Sequence, residues 1–98
     1  MIDGMYNIEV DTLLGRRPGT VEMRTEGDTV FVDIDAPVIG EQHVEAKTEG
    51  DSFTAEGSFR VFLLGEITYT LHCEVKGDDL NIHIDSSKGV FELIGKRA

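Results

Sequence analysis

Residues 53–75 read FTAEGSFRVFLLGEITYTLHCEV, and their spacing decides the fold. From Phe53 onward every second residue is apolar or small: Ala55, Gly57, Phe59, Val61 and Leu63. Past a Leu64-Gly65-Glu66 corner the alternation resumes at Ile67, Tyr69, Leu71, Cys73 and Val75. Thr54, Glu56, Ser58, Arg60, Thr68, Thr70, His72 and Glu74 occupy the positions between them. A strand sends successive side chains to opposite faces, so one set is buried and the other meets water. Two such runs about a glycine corner predict a long β-hairpin with one buried face.

The flanking chain repeats the design. Strands are predicted at 5–12 (Tyr6, Ile8 and Val10 inward), 20–25 (Val21, Met23), 29–35 (Val30, Val32, Ile34) and 41–48 (Gln42, Val44, Ala46). After the central hairpin come strands at 80–85 (Leu80, Ile82, Ile84) and 90–97 (Phe91, Leu93, Gly95, Arg97). Glu26-Gly27-Asp28, Glu49-Gly50-Asp51 and Lys76-Gly77-Asp78 read as tight turns, in which glycine supplies a positive φ beside a tolerant aspartate. No stretch has helical periodicity. The whole of 1–98 reads as one all-β domain, an eight-stranded antiparallel up-and-down meander. Joining strand eight to strand one removes its exposed edges and makes a barrel. The other reading is a sandwich or half-open barrel of the same strands.

Composition excludes some classes of function. Nineteen acidic residues against nine basic ones give a net charge of −10, which argues against a nucleic-acid partner. It also disfavours an anionic membrane surface, and no apolar run approaches the ~20 residues of a spanning helix. Met1-Ile2-Asp3-Gly4 lacks the basic and apolar regions of a secretory leader. Cys73 is the only cysteine and falls on an inward position, so no disulfide framework is expected. The reading points to a cytoplasmic protein.

Gly4-Met5-Tyr6 on the first strand and Arg97 on the last resemble the calycin plan of lipocalins and fatty-acid-binding proteins. In that plan a Gly-x-aromatic packs near a late arginine and closes one end. The resemblance implies that Tyr6 meets Arg97 in a cation–π contact. Thr12-Leu13-Leu14-Gly15, the recurrent x-Gly-Asp-x-apolar turns and the final arginine are also similar to a family of small bacterial β-barrel domains. That resemblance spans the chain, but its motifs are turn chemistry, so it implies a fold and not an activity. Tyr6 stands where lipocalins usually carry tryptophan, and Leu13 where proline is common.

A meander sends successive loops to alternate ends. The three Gly-Asp turns then share one end with the termini, while loops around 13–19, 36–40, 62–66 and 86–89 crowd the other. Those loops carry Leu13, Leu14, Val38, Ile39, Phe62, Leu63 and Leu64, with Arg16, Arg17 and Lys88 among them. Apolar loops in an acidic protein have three readings. They plug the barrel, they frame a portal for a small apolar or amphipathic ligand, or they form a protein-interaction or homodimer patch. On the ligand reading the entrance is Leu13, Leu14, Arg16, Arg17, Ile39, Phe62 and Leu64. Tyr6, Phe53, Phe59 and Tyr69 line the interior, and a basic side chain holds an anionic head. The alternative is an accessory or homodimerising module with a filled barrel.

Other constellations are weaker. Pairing 61 with 67 would align Glu56, His72 and His83 across three outer strands, with Glu92 beyond, at metal-sharing distances; solvated surface pairs are the simpler reading. Asp33 is expected opposite His43. Cys73 has only apolar inward neighbours and reads as an inert buried thiol. Met5, Val90 and Ile94 are outward apolar residues on strands expected to adjoin. No nucleophile–base set or phosphate loop is evident, so a non-enzymatic domain without a cofactor is expected.

Overall fold

A computed structural model describes residues 2–12, 15–36, 40–61 and 65–98, with residues 11, 12, 59 and 61 described by backbone alone. Eight strands follow one another: β1 Gly4–Thr12, β2 Gly15–Glu26, β3 Thr29–Ala36, β4 Gly40–Glu49, β5 Ser52–Val61, β6 Gly65–Lys76, β7 Asp79–Ser86 and β8 Gly89–Arg97. Each pairs antiparallel with the next, and β8 pairs with β1 to close the barrel. The up-and-down meander expected from the alternation is the observed, lipocalin-like architecture.

The turns form as their chemistry dictates. Gly27, Gly50 and Gly77 begin two-residue connections with φ of 65°, 64° and 63°, a region that costs glycine nothing. Closure depends on a different property of glycine. A Cβ on Gly95 would lie 2.5 Å from the Asn7 carbonyl oxygen and 2.6 Å from Ile8 Cγ2, so only a bare backbone lets β8 approach β1 this closely. The closed end is then stapled by side chains. The Arg97 guanidinium lies over the Tyr6 ring, 4.9 Å from its centroid. It also donates to the Asp3 and Gly77 carbonyls and meets Asp78. Tyr6 donates its hydroxyl to the Ile2 carbonyl at 2.7 Å. Asp3 accepts from the Thr25 amide at 2.8 Å and from its hydroxyl at 2.6 Å, which holds its carboxyl below the usual carboxylate range.

Two expectations are corrected. The loop expected at 13–19 is shorter, because β2 begins at Gly15 and pairs with β1 from Thr12↔Gly15 onward. Arg16, Arg17 and Pro18 are therefore strand residues. Ala98 N–H donates to the Met5 carbonyl, so Met5, Asn7 and Glu9 turn their backbone groups towards β8. Pro18 faces Glu9, and its missing N–H therefore points towards β3, where, among the described residues, β2–β3 pairing starts at Thr20. The central hairpin pairs Phe59, not Val61, with Ile67. Thr54 therefore faces His72, while Glu56 faces Thr70, and the expected Glu56–His72–His83 row does not form. Met5, Val90 and Ile94 are exposed on adjoining strands, as expected, and Ile94 pairs with Glu9, four residues along β1 from Met5. At ~3.4 Å per residue Met5 and Ile94 lie roughly 13 Å apart along the strand.

Among the described residues the barrel's two short ladders lie towards its turn end. Among the described residues the β4–β5 ladder consists of Glu49↔Ser52 and Thr48↔Phe53, and the β1–β8 ladder stops at Glu9↔Ile94. The remaining six seams pair along nearly their full length. Two four-stranded halves, β1–β4 and β5–β8, thus join at the termini and part towards the loop end.

Candidate functional site: the mouth of the barrel

Inward positions divide into two populations. Tyr6, Val21, Val30, Cys73 and Ile82 are 0% exposed, and Leu80, Phe53, Met23 and Leu93 are buried with them. Any void large enough for water would leave its lining accessible, so this turn-end half is a packed floor. Burial pushes the Cys73 thiol up to about 12. Towards the loop end burial is mixed: Ile34, Ala36 and Ile67 stay buried, while other inward positions are wholly or partly exposed. Val10, Tyr69 and Ile84 are only half-buried, and Phe91 is 48% exposed although it shares the inward parity of Leu93 and Gly95. These residues border the seams: Val10 and Phe91 lie where β1 leaves β8, and Gln42, Ala46 and Gly57 where β4 leaves β5. At this end half-exposed apolar side chains stand beside buried ones above the packed base.

Arg17 is a charged residue at this end of the barrel. It shares the inward parity of Val21 and Met23, and it pairs with Val10 across the β1–β2 ladder. Its side chain is exposed and, among the described residues, has no ion-pair or hydrogen-bond partner. Arg16, one residue earlier, takes the opposite face and binds Glu9 on the outer wall at 3.0 Å. Lys88 lies exposed in the two-residue connection between β7 and β8.

The expected site residues separate accordingly. Tyr6 and Phe53 belong to the packed floor, where Tyr6 has a satisfied hydroxyl and an arginine over its ring. Tyr69 reaches the mouth, with burial raising its hydroxyl above the usual tyrosine value. Its oxygen lies 2.8 Å from the point where a Gly57 Cβ would stand, so Tyr69 fills the space beside Gly57. Leu13, Leu14, Val38, Ile39, Phe62, Leu63, Leu64 and the Phe59 side chain lie outside the described residues. Phe91 and Ile84 were read as core from their parity; their exposure at the mouth follows from the parting of β8 from β1, which parity does not report.

The outer wall carries the histidines. His72 and His83 face each other across β6 and β7, as expected for that pair. Each has another partner: His72 Nδ1 meets Thr54 Oγ1 at 3.1 Å, and His83 Nδ1 meets Glu92 Oε1 at 2.9 Å. The Glu92 carboxylate, with Asp85 nearby, raises the His83 pKa above 6.5. Asp33 and His43 pair as expected.

The chain matches no protein-family model, and no curated protein matches it. Similar solved structures exist. A redesigned β-barrel aligns with 99% of this chain and 91% of its own at 11% identity and a TM-score of 0.62. The redesigned β-barrel mFAP1, bound to DFHBI, aligns with 99% of this chain and 94% of its own at 11% identity and a TM-score of 0.61. At such identity the likeness is one of fold alone. The chain is a closed, eight-stranded antiparallel meander barrel with a packed floor.

Proposed function

We propose that the protein is a non-enzymatic binding domain that takes a small apolar or amphipathic molecule with an anionic group into the mouth of its barrel. The observation that carries this reading is the inward-parity Arg17, which has no partner among the described residues and pairs with half-buried Val10, at the end of the barrel where Ile84 is also half-buried and Phe91 is exposed. An apolar wall gives non-directional affinity, and one guanidinium orients the ligand by a charge-assisted hydrogen bond. Buried Cys73 is compatible with a reducing compartment, and we place the protein in the cytoplasm on that ground. The fold is capable of such a role, since mFAP1 is bound to DFHBI. The packed floor favours a second reading, an accessory module whose barrel takes no ligand.

Native mass spectrometry of freshly purified protein, followed by solvent extraction, tests the proposal by revealing any bound mass. The anionic aromatic probe 1-anilinonaphthalene-8-sulfonate supplies a defined titration. It should bind one equivalent, and Arg17→Glu should weaken it by about tenfold or more. A protein that purifies bare and leaves the probe in water would favour the accessory module.

A further inference from the structure

The parting of β4 from β5 leaves a strand edge whose direction is fixed by neighbouring bonds. Thr68 turns both backbone groups towards Ser87: its N–H donates to Ser87 Oγ at 3.3 Å, and its C=O accepts from Ser87 N–H at 3.0 Å. Thr68 therefore makes no ladder bond to Ser58, its partner across β5–β6. In an antiparallel ladder such a residue pair is the non-hydrogen-bonded kind, so Ser58 directs its own N–H and C=O away from β6. The same alternation appears at the turn end, where Val75 N–H donates to Asp51 O at 2.9 Å. Glu56, Ser58 and Arg60 thus present backbone groups to the seam, where no described residue of β4 pairs with them. Their side chains point outward and are exposed, and among the described residues Glu56 and Arg60 have no ion-pair partner.

We infer that this edge is a homodimer interface, in which β5 of a second copy adds antiparallel to β5 about a two-fold axis at Ser58. The sequence Glu56-Gly57-Ser58-Phe59-Arg60 is complementary to itself in that register alone. Ser58 meets Ser58 on the axis, and Glu56 of each copy meets Arg60 of the other. Each facing pair can exchange both N–H···O bonds, and directly opposed Cβ atoms stand about 5.5 Å apart. Moving the axis by two residues either way, a four-residue slide, sets Glu56 against Glu56 or Arg60 against Arg60; a two-residue slide sets one or the other against Ser58. Sliding by one leaves both charges opposite neutral residues or outside the ladder. An unpaired edge is a template for another strand, and a two-fold axis makes the contact isologous and closed.

The surface beside the edge agrees. A groove of about 430 Å³ lies beside the edge at β5, β6 and β7, lined by Glu56, Gly57, Thr68, Tyr69, Thr70 and Asp85 among others. Two carboxylates and three hydroxyls make it a receptor for a guanidinium, and Arg60 of the second copy arrives at its Glu56 rim. This inference is independent of any ligand in the mouth.

Sedimentation velocity from low micromolar to about 1 mM protein tests it. The expected result is a concentration-dependent monomer–dimer equilibrium. Arg60→Glu sets four carboxylates together and should raise the dissociation constant about tenfold or more. The double variant Glu56→Arg, Arg60→Glu reverses both charges and should restore the dimer. Ser58→Pro removes a seam-facing N–H without touching the β5–β6 ladder, and should abolish association while the far-ultraviolet circular dichroism stays that of the parent. A monomer at every concentration overturns the inference. So does a dimer indifferent to Arg60→Glu, or one lost in Arg60→Glu and not recovered in a double variant that retains the parent's dichroism.

Discussion

The guanidinium of Arg97 lies 4.9 Å from the centroid of the Tyr6 ring, joining the last strand to the first at the closed end. The contact is reinforced on both sides. Arg97 donates to the Asp3 and Gly77 carbonyls, and the Tyr6 hydroxyl donates to Ile2. Since β1 and β8 share only four facing pairs, this cluster carries much of the closure. Arg97→Ala should therefore cost about 2 kcal/mol, from a cation–π contact and two net hydrogen bonds. Urea unfolding checks it, with the midpoint falling and the slope unchanged.

Asp3 gives the same end a pH dependence. Its carboxylate accepts two bonds from Thr25, so its folded pKa lies below the ordinary 3.8. A lowered folded pKa contributes stability that is fully present above the unfolded value and lost as pH falls through the folded one. The difference in urea midpoint between the parent and Asp3→Asn should be full at pH 7 and shrink steadily below 3.8. An equal difference at both ends of the range would mean that the Asp3 charge contributes nothing.

Gly57 and Tyr69 form a coupled pair. A Cβ at Gly57 would lie 2.8 Å from Tyr69 Oη and 3.0 Å from Cζ, so the ring must swing away to admit it. Gly57→Ala should cost about 1–2 kcal/mol in the parent and distinctly less in a Tyr69→Ala background. A thermal-unfolding double-mutant cycle measures the coupling. Additive effects would show that the ring yields freely.

Cys73 should be silent to thiol reagents. It is fully buried among apolar neighbours, and its pKa of about 12 leaves almost no thiolate at neutral pH. Ellman's reagent should release no chromophore from the native protein and one equivalent in denaturant. A fast native reaction would reveal opening of the packed floor.

Parity was legible in the sequence; register and seams were not. Val30, Val32 and Ile34, or Leu71, Cys73 and Val75, announce their face because burial acts on every second side chain. A slip of two residues keeps every side chain on its face, so the pattern could not separate Val61↔Ile67 from the observed Phe59↔Ile67. Local contacts such as Tyr69 over Gly57 distinguish them, and no periodicity encodes these. Arg16-Arg17-Pro18 read as a loop because charge and proline are rare inside sheets; they remain in β2 because Pro18 directs its missing N–H beyond the start of the β2–β3 ladder. The mouth arises where β8 and β1 part, so Phe91 gave only the signal of a core residue. Arg17 was legible as a basic residue at that end, but its distinction from Arg16 is set by strand parity, which a loop does not have.

The corrected register also fixes the chemistry of the outer histidines. His83 lies between Glu92 at 2.9 Å and Asp85 at 3.5 Å, and the first of these is the larger cause of its raised pKa. A raised histidine pKa contributes stability that is present below the unfolded value and lost as pH rises through the folded one. In a ¹H–¹³C titration the His83 imidazole should therefore turn above pH 6.5, and Glu92→Gln should bring the midpoint down towards that value. Thr54→Val removes the hydroxyl beside His72 and should leave the His83 curve in place, because the His83 partners lie on β7 and β8. A His83 midpoint that follows Thr54 and ignores Glu92 would return the outer wall to a shared His72–His83 site.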